Sequence, residues 1–127
     1  MPAFAGMAEA LFEACGSIKE NTAYFKNLRS RLIEGLSCIP HSVLNGDPVR
    51  RLPGNVNFCF EGIEGESLVL LLDARGIAAS CTSGSLDPSH MLLATGRPHE
   101  IAHGSLRFAL SPENMPEEVE EIIRSVE

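Results

Sequence analysis

Apolar residues recur at helical spacing from Met7 to Leu36, at Met7, Leu11, Cys15, Ile18, Phe25, Leu28, Leu32 and Leu36, with polar Asn21-Thr22 between them. The pattern predicts one long amphipathic helix over about residues 7–38, closed before Pro40. Gly16-Ser17 lies inside it and marks a place for a bend, since an interior glycine costs about 1 kcal/mol relative to alanine. Lys19 and Lys26, the only lysines in the chain, fall off the apolar stripe and read as solvated charges.

Past Pro40 the period shortens. Ser42 to Leu44 predicts a short strand, and Asn45-Gly46-Asp47-Pro48 supplies turn chemistry. From Asn55 to Phe60, Val56, Phe58 and Phe60 alternate with Asn57 and Cys59, the pattern of a half-buried strand with Cys59 on its less buried face. Glu66 to Arg75 predicts a helix ended by Gly76, with Leu68, Leu71 and Leu72 inward, followed by a short strand over Ile77 to Ala79. Pro88 to Ala94 and His99 to Ala102 read as short helices separated by Gly96-Arg97-Pro98. Ser105 to Leu110 alternates again, as a strand bearing Arg107. Asn114 and Glu117 resemble a capping box before a last helix with Val119, Ile122, Ile123 and Val126 on its apolar face. These elements predict an α+β fold, a two-layer domain with helices packed on a short mixed or antiparallel sheet, and the length allows a single domain over residues 1–127.

Charge and cysteine usage narrow the classes. The 10 basic and 17 acidic residues give a net charge of −7, which disfavours nucleic acid or an anionic membrane as partner. No apolar run reaches the length of a membrane span, and no cleavable leader precedes Met7, so a soluble cytoplasmic protein is expected. Cys15, Cys38, Cys59 and Cys81 are far apart with no Cys-x-x-Cys pair, consistent with reduced thiols.

Two constellations carry candidate chemistry. His99-Glu100-Ile101-Ala102-His103 satisfies the His-Glu-x-x-His pattern of zinc peptidases, but Pro98 and Gly104 confine it to about one turn. The alternative is a histidine pair that caps or packs a short turn. The second constellation is Cys81 with Arg107. Cys81 sits among Ser80, Thr82, Ser83 and Gly84 rather than among packing residues, which suits either an exposed, mobile nucleophile or an incidental surface thiol. Arg107 presents a planar fork suited to a carboxylate, or an ion pair with Asp87 or Glu100. Together they suggest sulfur or acyl transfer involving a small acid.

Four segments carry a resemblance: Arg-Leu-Pro-Gly-Asn-Val-Asn at 51–57, Glu-Gly-Glu-Ser-Leu at 64–68, Cys-Thr-Ser-Gly-Ser-Leu-Asp-Pro-Ser-His at 81–90, and Ala-His-Gly-Ser-Leu-Arg-Phe at 102–108. In order and spacing they resemble the C-terminal part of NifS/IscS-type cysteine desulfurases, in the class V aminotransferase family. The resemblance implies the small domain of a fold-type I pyridoxal-phosphate enzyme that takes sulfur from L-cysteine, releases alanine and holds the sulfur as a persulfide. The sulfur would pass to an iron–sulfur scaffold or another acceptor protein. On this resemblance Cys81 matches the persulfide-forming cysteine and Arg107 the arginine that binds the substrate carboxylate. It also absorbs the His-Glu-x-x-His pattern, which that family carries in similar form without zinc.

Two departures stand out. The family's loop reads Ser-Ser-Gly-Ser-Ala-Cys-Thr-Ser-Gly, whereas here Ser80 runs straight into Cys81, removing up to about 13 Å of extended contour. Neither Lys19 nor Lys26 lies in the Ser-x-His-Lys setting of the family's Schiff-base lysine, so no pyridoxal phosphate is expected on this chain alone. The expected partner is a cofactor-binding large domain, with self-association through the face it leaves uncovered, and the chain by itself is expected to be inactive. A stand-alone sulfur carrier using Cys81 and a zinc hydrolase using His99 and His103 are the alternatives.

Overall fold

The structure is a computed structural model that describes residues 2–81 and 87–127. A 36-residue helix, α1 (Pro2–Ser37), is followed by β1 (Ser42–Leu44), β2 (Asn55–Phe60), α2 (Gly65–Asp73), α3 (His90–Ala94), α4 (His99–His103), β3 (Ser105–Ala109) and α5 (Pro116–Val126). The strands form one antiparallel sheet in the order β1-β2-β3. Val56 pairs with Phe108 and Phe58 with Leu106, so the apolar positions of both strands share one face. Leu28, Leu32 and Leu36 of α1, Leu68 and Leu72 of α2, and Val119 of α5 close over that face to make the core. This is the expected two-layer arrangement, with a wholly antiparallel sheet.

The long helix departs from expectation in two ways. It runs unbroken through Gly16-Ser17, where Ser17 Oγ donates to the Glu13 carbonyl at 3.0 Å and accepts from Asn21 Nδ2 at 3.1 Å. Only the C-terminal half of its apolar stripe is core. Phe4, Met7, Leu11, Phe12 and Ile18 are all exposed, since no element of the described chain covers the first turns. Where α1 does pack, Gly35 admits Ile123 of α5, which would collide with any side chain there.

Four further expectations are corrected. Cys59 is fully buried, because the second face of β2 lies beneath Asn45, whose Nδ2 donates to Cys59 Sγ at 3.0 Å. Burial pushes its thiol up, and the Asn45 bond offsets that only in part. Leu71 faces outward, while its neighbours Leu68 and Leu72 carry α2's buried face. Ile77 to Ala79 is not a strand: the Ile77 amide closes α2 by bonding to the Leu72 carbonyl at 3.0 Å, with Gly76 at φ 77° in the turn. The capping box before α5 lies one residue on, at Met115 and Glu118, where the Met115 amide donates to Glu118 Oε2 at 2.9 Å. Asn114 Nδ2 donates to the same oxygen at 3.0 Å.

Candidate functional site

Arg107 lies in the middle of β3, and its neighbours Leu106 and Phe108 are buried, so the strand's alternation turns the guanidinium to the face opposite the core. The chain returning from α2 meets this strand at one point. Ser80 and Arg107 form an antiparallel bridge in which the Ser80 amide donates to the Arg107 carbonyl at 3.0 Å and the Arg107 amide donates to the Ser80 carbonyl at 2.6 Å. Arg107 Nε also donates to Ser80 Oγ at 3.1 Å, so the same residue fixes both the backbone and the head of the arginine.

Cys81 follows Ser80 directly and is therefore held one residue beyond a pair bound to Arg107. Its side chain is half-buried against the start of α2, where a Cβ built on Gly65 would lie 3.0 Å from Cys81 Cβ. The same Cβ would collide with the Ser105 carbonyl oxygen and come within 3.2 Å of the His103 carbonyl. A bare backbone at residue 65 thus lets α2, the start of β3 and Cys81 converge. Of the two residues singled out from the sequence, Cys81 thus lies one residue beyond the backbone partner of Arg107, with its side chain turned toward α2. Residues 82–86, including Ser83 and Gly84, lie outside the described part.

His99 and His103 sit on the five-residue α4, and their rings meet edge to face with centroids 5.0 Å apart. Among the described residues, no three His, Cys, Asp or Glu side chains converge as a metal site would require. No described helix is long and apolar enough to cross a membrane.

Two features escaped the sequence reading. Gly65 stands in the quoted Glu-Gly-Glu-Ser-Leu segment, but its role emerges only from what packs against it. Asn45 reads as a turn residue, yet it is buried: its side chain bonds Asn57, Cys59 and Arg97 and its carbonyl accepts from Arg51. Nothing in the local sequence signals a hub there.

The profile of the family described as Aminotransferase class-V matches residues 1–122. The chain belongs to that family. Among curated proteins, the cysteine desulfurase IscS of Methanosarcina thermophila is 50% identical over 130 residues, covering 99% of this chain and 32% of the relative. The cysteine desulfurase NifS of Azotobacter vinelandii is 43% identical over 126 residues, covering 95% of this chain and 31% of the relative. Among solved structures, a NifS-like protein matches with a TM-score of 0.84 at 29% identity, over 95% of this chain and 31% of that one. A NifS-like protein from Rickettsia africae matches with a TM-score of 0.78 at 25% identity, over 87% and 29%. This class-V aminotransferase chain thus spans about a third of the length of the curated relatives it matches. The first alignment extends over 130 positions against the 127 residues of the chain, so that relative carries residues with no counterpart here.

Proposed function

We propose that this chain is the small-domain part of a pyridoxal-phosphate-dependent cysteine desulfurase, with Cys81 as the sulfur-accepting nucleophile and Arg107 as the clamp on the substrate carboxylate. The observation that supports the reading is the Ser80–Arg107 bridge, which sets the backbone of Cys81 one residue beyond the partner of Arg107. The relatives named cysteine desulfurase support the reaction class.

The residues present do not fit the cofactor. Lys19 and Lys26 both lie on the exposed surface of α1, far in sequence from Cys81 and Arg107, and neither has the setting of a Schiff-base lysine. Pyridoxal phosphate would therefore be anchored by other parts of the parent enzyme, where it supplies the electron sink for breaking the carbon–sulfur bond. What this chain contributes is position and a nucleophile. Arg107 holds the carboxylate of L-cysteine by charge-assisted hydrogen bonds. The Cys81 thiolate attacks the substrate sulfur, a sulfur–sulfur bond forms, and the carbon–sulfur bond breaks with its electron pair left on the three-carbon fragment, which is protonated and released as alanine. The outer sulfur then passes to an acceptor thiol, such as that of an iron–sulfur scaffold or another acceptor protein.

Mass spectrometry of the chain after incubation with a complete desulfurase and cysteine tests the nucleophile, since a gain of one sulfur is expected at Cys81 and not at Cys15, Cys38 or Cys59. Mixed with a large-domain fragment that carries the cofactor lysine, Cys81→Ala should lose persulfide formation. In the same mixture Arg107→Ala should weaken cysteine binding by about 1.5–3 kcal/mol. Persulfide formation unchanged in Cys81→Ala would show that another cysteine carries the sulfur.

A further inference from the structure

Asn57 of β2 is the direct cross-strand partner of Arg107 on β3. Both side chains leave the face opposite the core, because Val56, Phe58, Leu106 and Phe108 are buried on the other one; Asn57 is half-buried there and Arg107 exposed. Neither backbone bonds to the other. The Asn57 carbonyl accepts from the Asn45 amide at 2.9 Å on the β1 side, and Arg107 exchanges its bonds with Ser80 on the far side of β3. They are therefore a non-hydrogen-bonded pair, the arrangement that brings facing side chains closest, with Cβ atoms about 4.5–5.5 Å apart.

What Asn57 offers at this position is set by a chain of bonds. Arg97 Nε, which can only donate, bonds to Asn45 Oδ1 at 3.0 Å. The buried Asn45 amide must then donate with Nδ2, and it does so to Asn57 Oδ1 at 2.6 Å and to Cys59 Sγ at 3.0 Å. The Asn57 oxygen is thus committed toward β1, which leaves Nδ2 as the open end of its side chain, and no described bond uses that nitrogen.

Arg107 is polarised in the opposite sense. Its Nε is taken by Ser80 Oγ at 3.1 Å on the side of β3 away from β2, while no described bond uses Nη1 or Nη2. Donors from two neighbouring strands therefore flank the β2–β3 seam, and none of these three nitrogens has an acceptor among the described residues. A carboxylate suits them: it only accepts, it carries two oxygens, and it balances the guanidinium charge, whereas a neutral carbonyl does not.

We propose that Asn57 Nδ2 is a second donor to the substrate carboxylate, acting beside Arg107 from the next strand. The identity of the acid rests on the desulfurase reading, but the binding of a carboxylate at this pair does not.

Side-chain 1H–15N spectra of the 127-residue chain, titrated with sodium 3-mercaptopropionate against sodium chloride at matched ionic strength, read both donors. The Asn57 Nδ2 and Arg107 Nε resonances should move on one saturation curve with the acid and stay in place with chloride. Asn57→Asp keeps the oxygen that Asn45 needs and replaces only the nitrogen, so the Arg107 curve should shift to roughly tenfold higher concentration or more. Mixed with a large-domain fragment that carries the cofactor lysine, the same variant should raise the KM for L-cysteine by a similar factor. An Asn57 resonance that stays in place while Arg107 responds, or an Asn57→Asp chain that binds the acid as wild type does, would overturn the proposal and leave the desulfurase reading standing. Responses at both residues, alongside normal desulfuration by the Arg107→Ala mixture, would keep this carboxylate site and remove the desulfurase reading instead.

Discussion

Gly65→Ala should damage both the fold and the candidate site, because residue 65 is where three segments converge. The added methyl would run into the Ser105 carbonyl oxygen and lie 3.0 Å from Cys81 Cβ and 3.2 Å from the His103 carbonyl. Two of these neighbours are backbone atoms of β3 and α4, which cannot rotate away. Overpacking of this kind costs about 1–3 kcal/mol. The helix-propensity gain of up to about 1 kcal/mol is small here, because residue 65 opens α2 rather than lying within it. A net loss of about 2 kcal/mol corresponds to a melting midpoint lower by roughly 8 °C for a chain of this size. Differential scanning calorimetry measures it, and the rate of Cys81 alkylation by iodoacetamide should rise in the same variant as the thiol loses its seat against α2. Gly16→Ala is the matched control, because a Cβ there meets nothing within 4 Å and should leave the midpoint unchanged or raise it. A Gly65→Ala chain that melts within a degree of wild type, with Cys81 no more reactive, would refute the close approach.

The apolar half-stripe on α1 should drive self-association: sedimentation at rising concentration should show oligomers, reduced in a Leu11→Glu, Phe12→Glu double variant, since both residues are more than 60% exposed. Glu118 has its carboxyl held below the usual range first by Asn114 and then by the Met115 amide, so its contribution to folding is present above the ordinary value of about 4.5 and fades as pH falls through the lower folded value. Urea titrations of wild type and Glu118→Gln should therefore differ at about pH 6 and approach each other as the pH is taken below the ordinary carboxylate range. Elemental analysis of the purified chain should find no stoichiometric zinc, and one tightly held zinc lost in His103→Ala would revive the hydrolase reading.

Much of this architecture was readable because apolar periodicity reports directly on which face of a helix or strand is buried. Val56, Phe58, Phe60, Leu106 and Phe108 announced β2 and β3, and the family-like segments pointed to Cys81 and Arg107. The misreadings have a common cause. Local pattern alone misplaces Leu71, Cys59 and the first turns of α1, because burial depends on what lies across from them: no described element over Met7, and Asn45 over Cys59. Ile77 to Ala79 looked like a strand because its residues suit one, yet its first amide was already committed to closing α2.

The position of the Cys81 backbone follows from strand register, while its side chain rests against the start of α2. Strand register is fixed by the core, because a slip of one residue would send Leu106 and Phe108 to the outer face and drive Arg107 inward. The pairs Val56 with Phe108 and Phe58 with Leu106 hold that register, and so set the side on which Arg107 emerges. Ser80 then copies the register to the incoming chain through two backbone bonds and one to the guanidinium. Cys81 is one peptide farther, about 3.8 Å in Cα spacing, so chain geometry limits how far its backbone can lie from the bridge. The core, the outward face of Arg107 and the backbone position of Cys81 therefore share one structural cause, the register of β2 against β3.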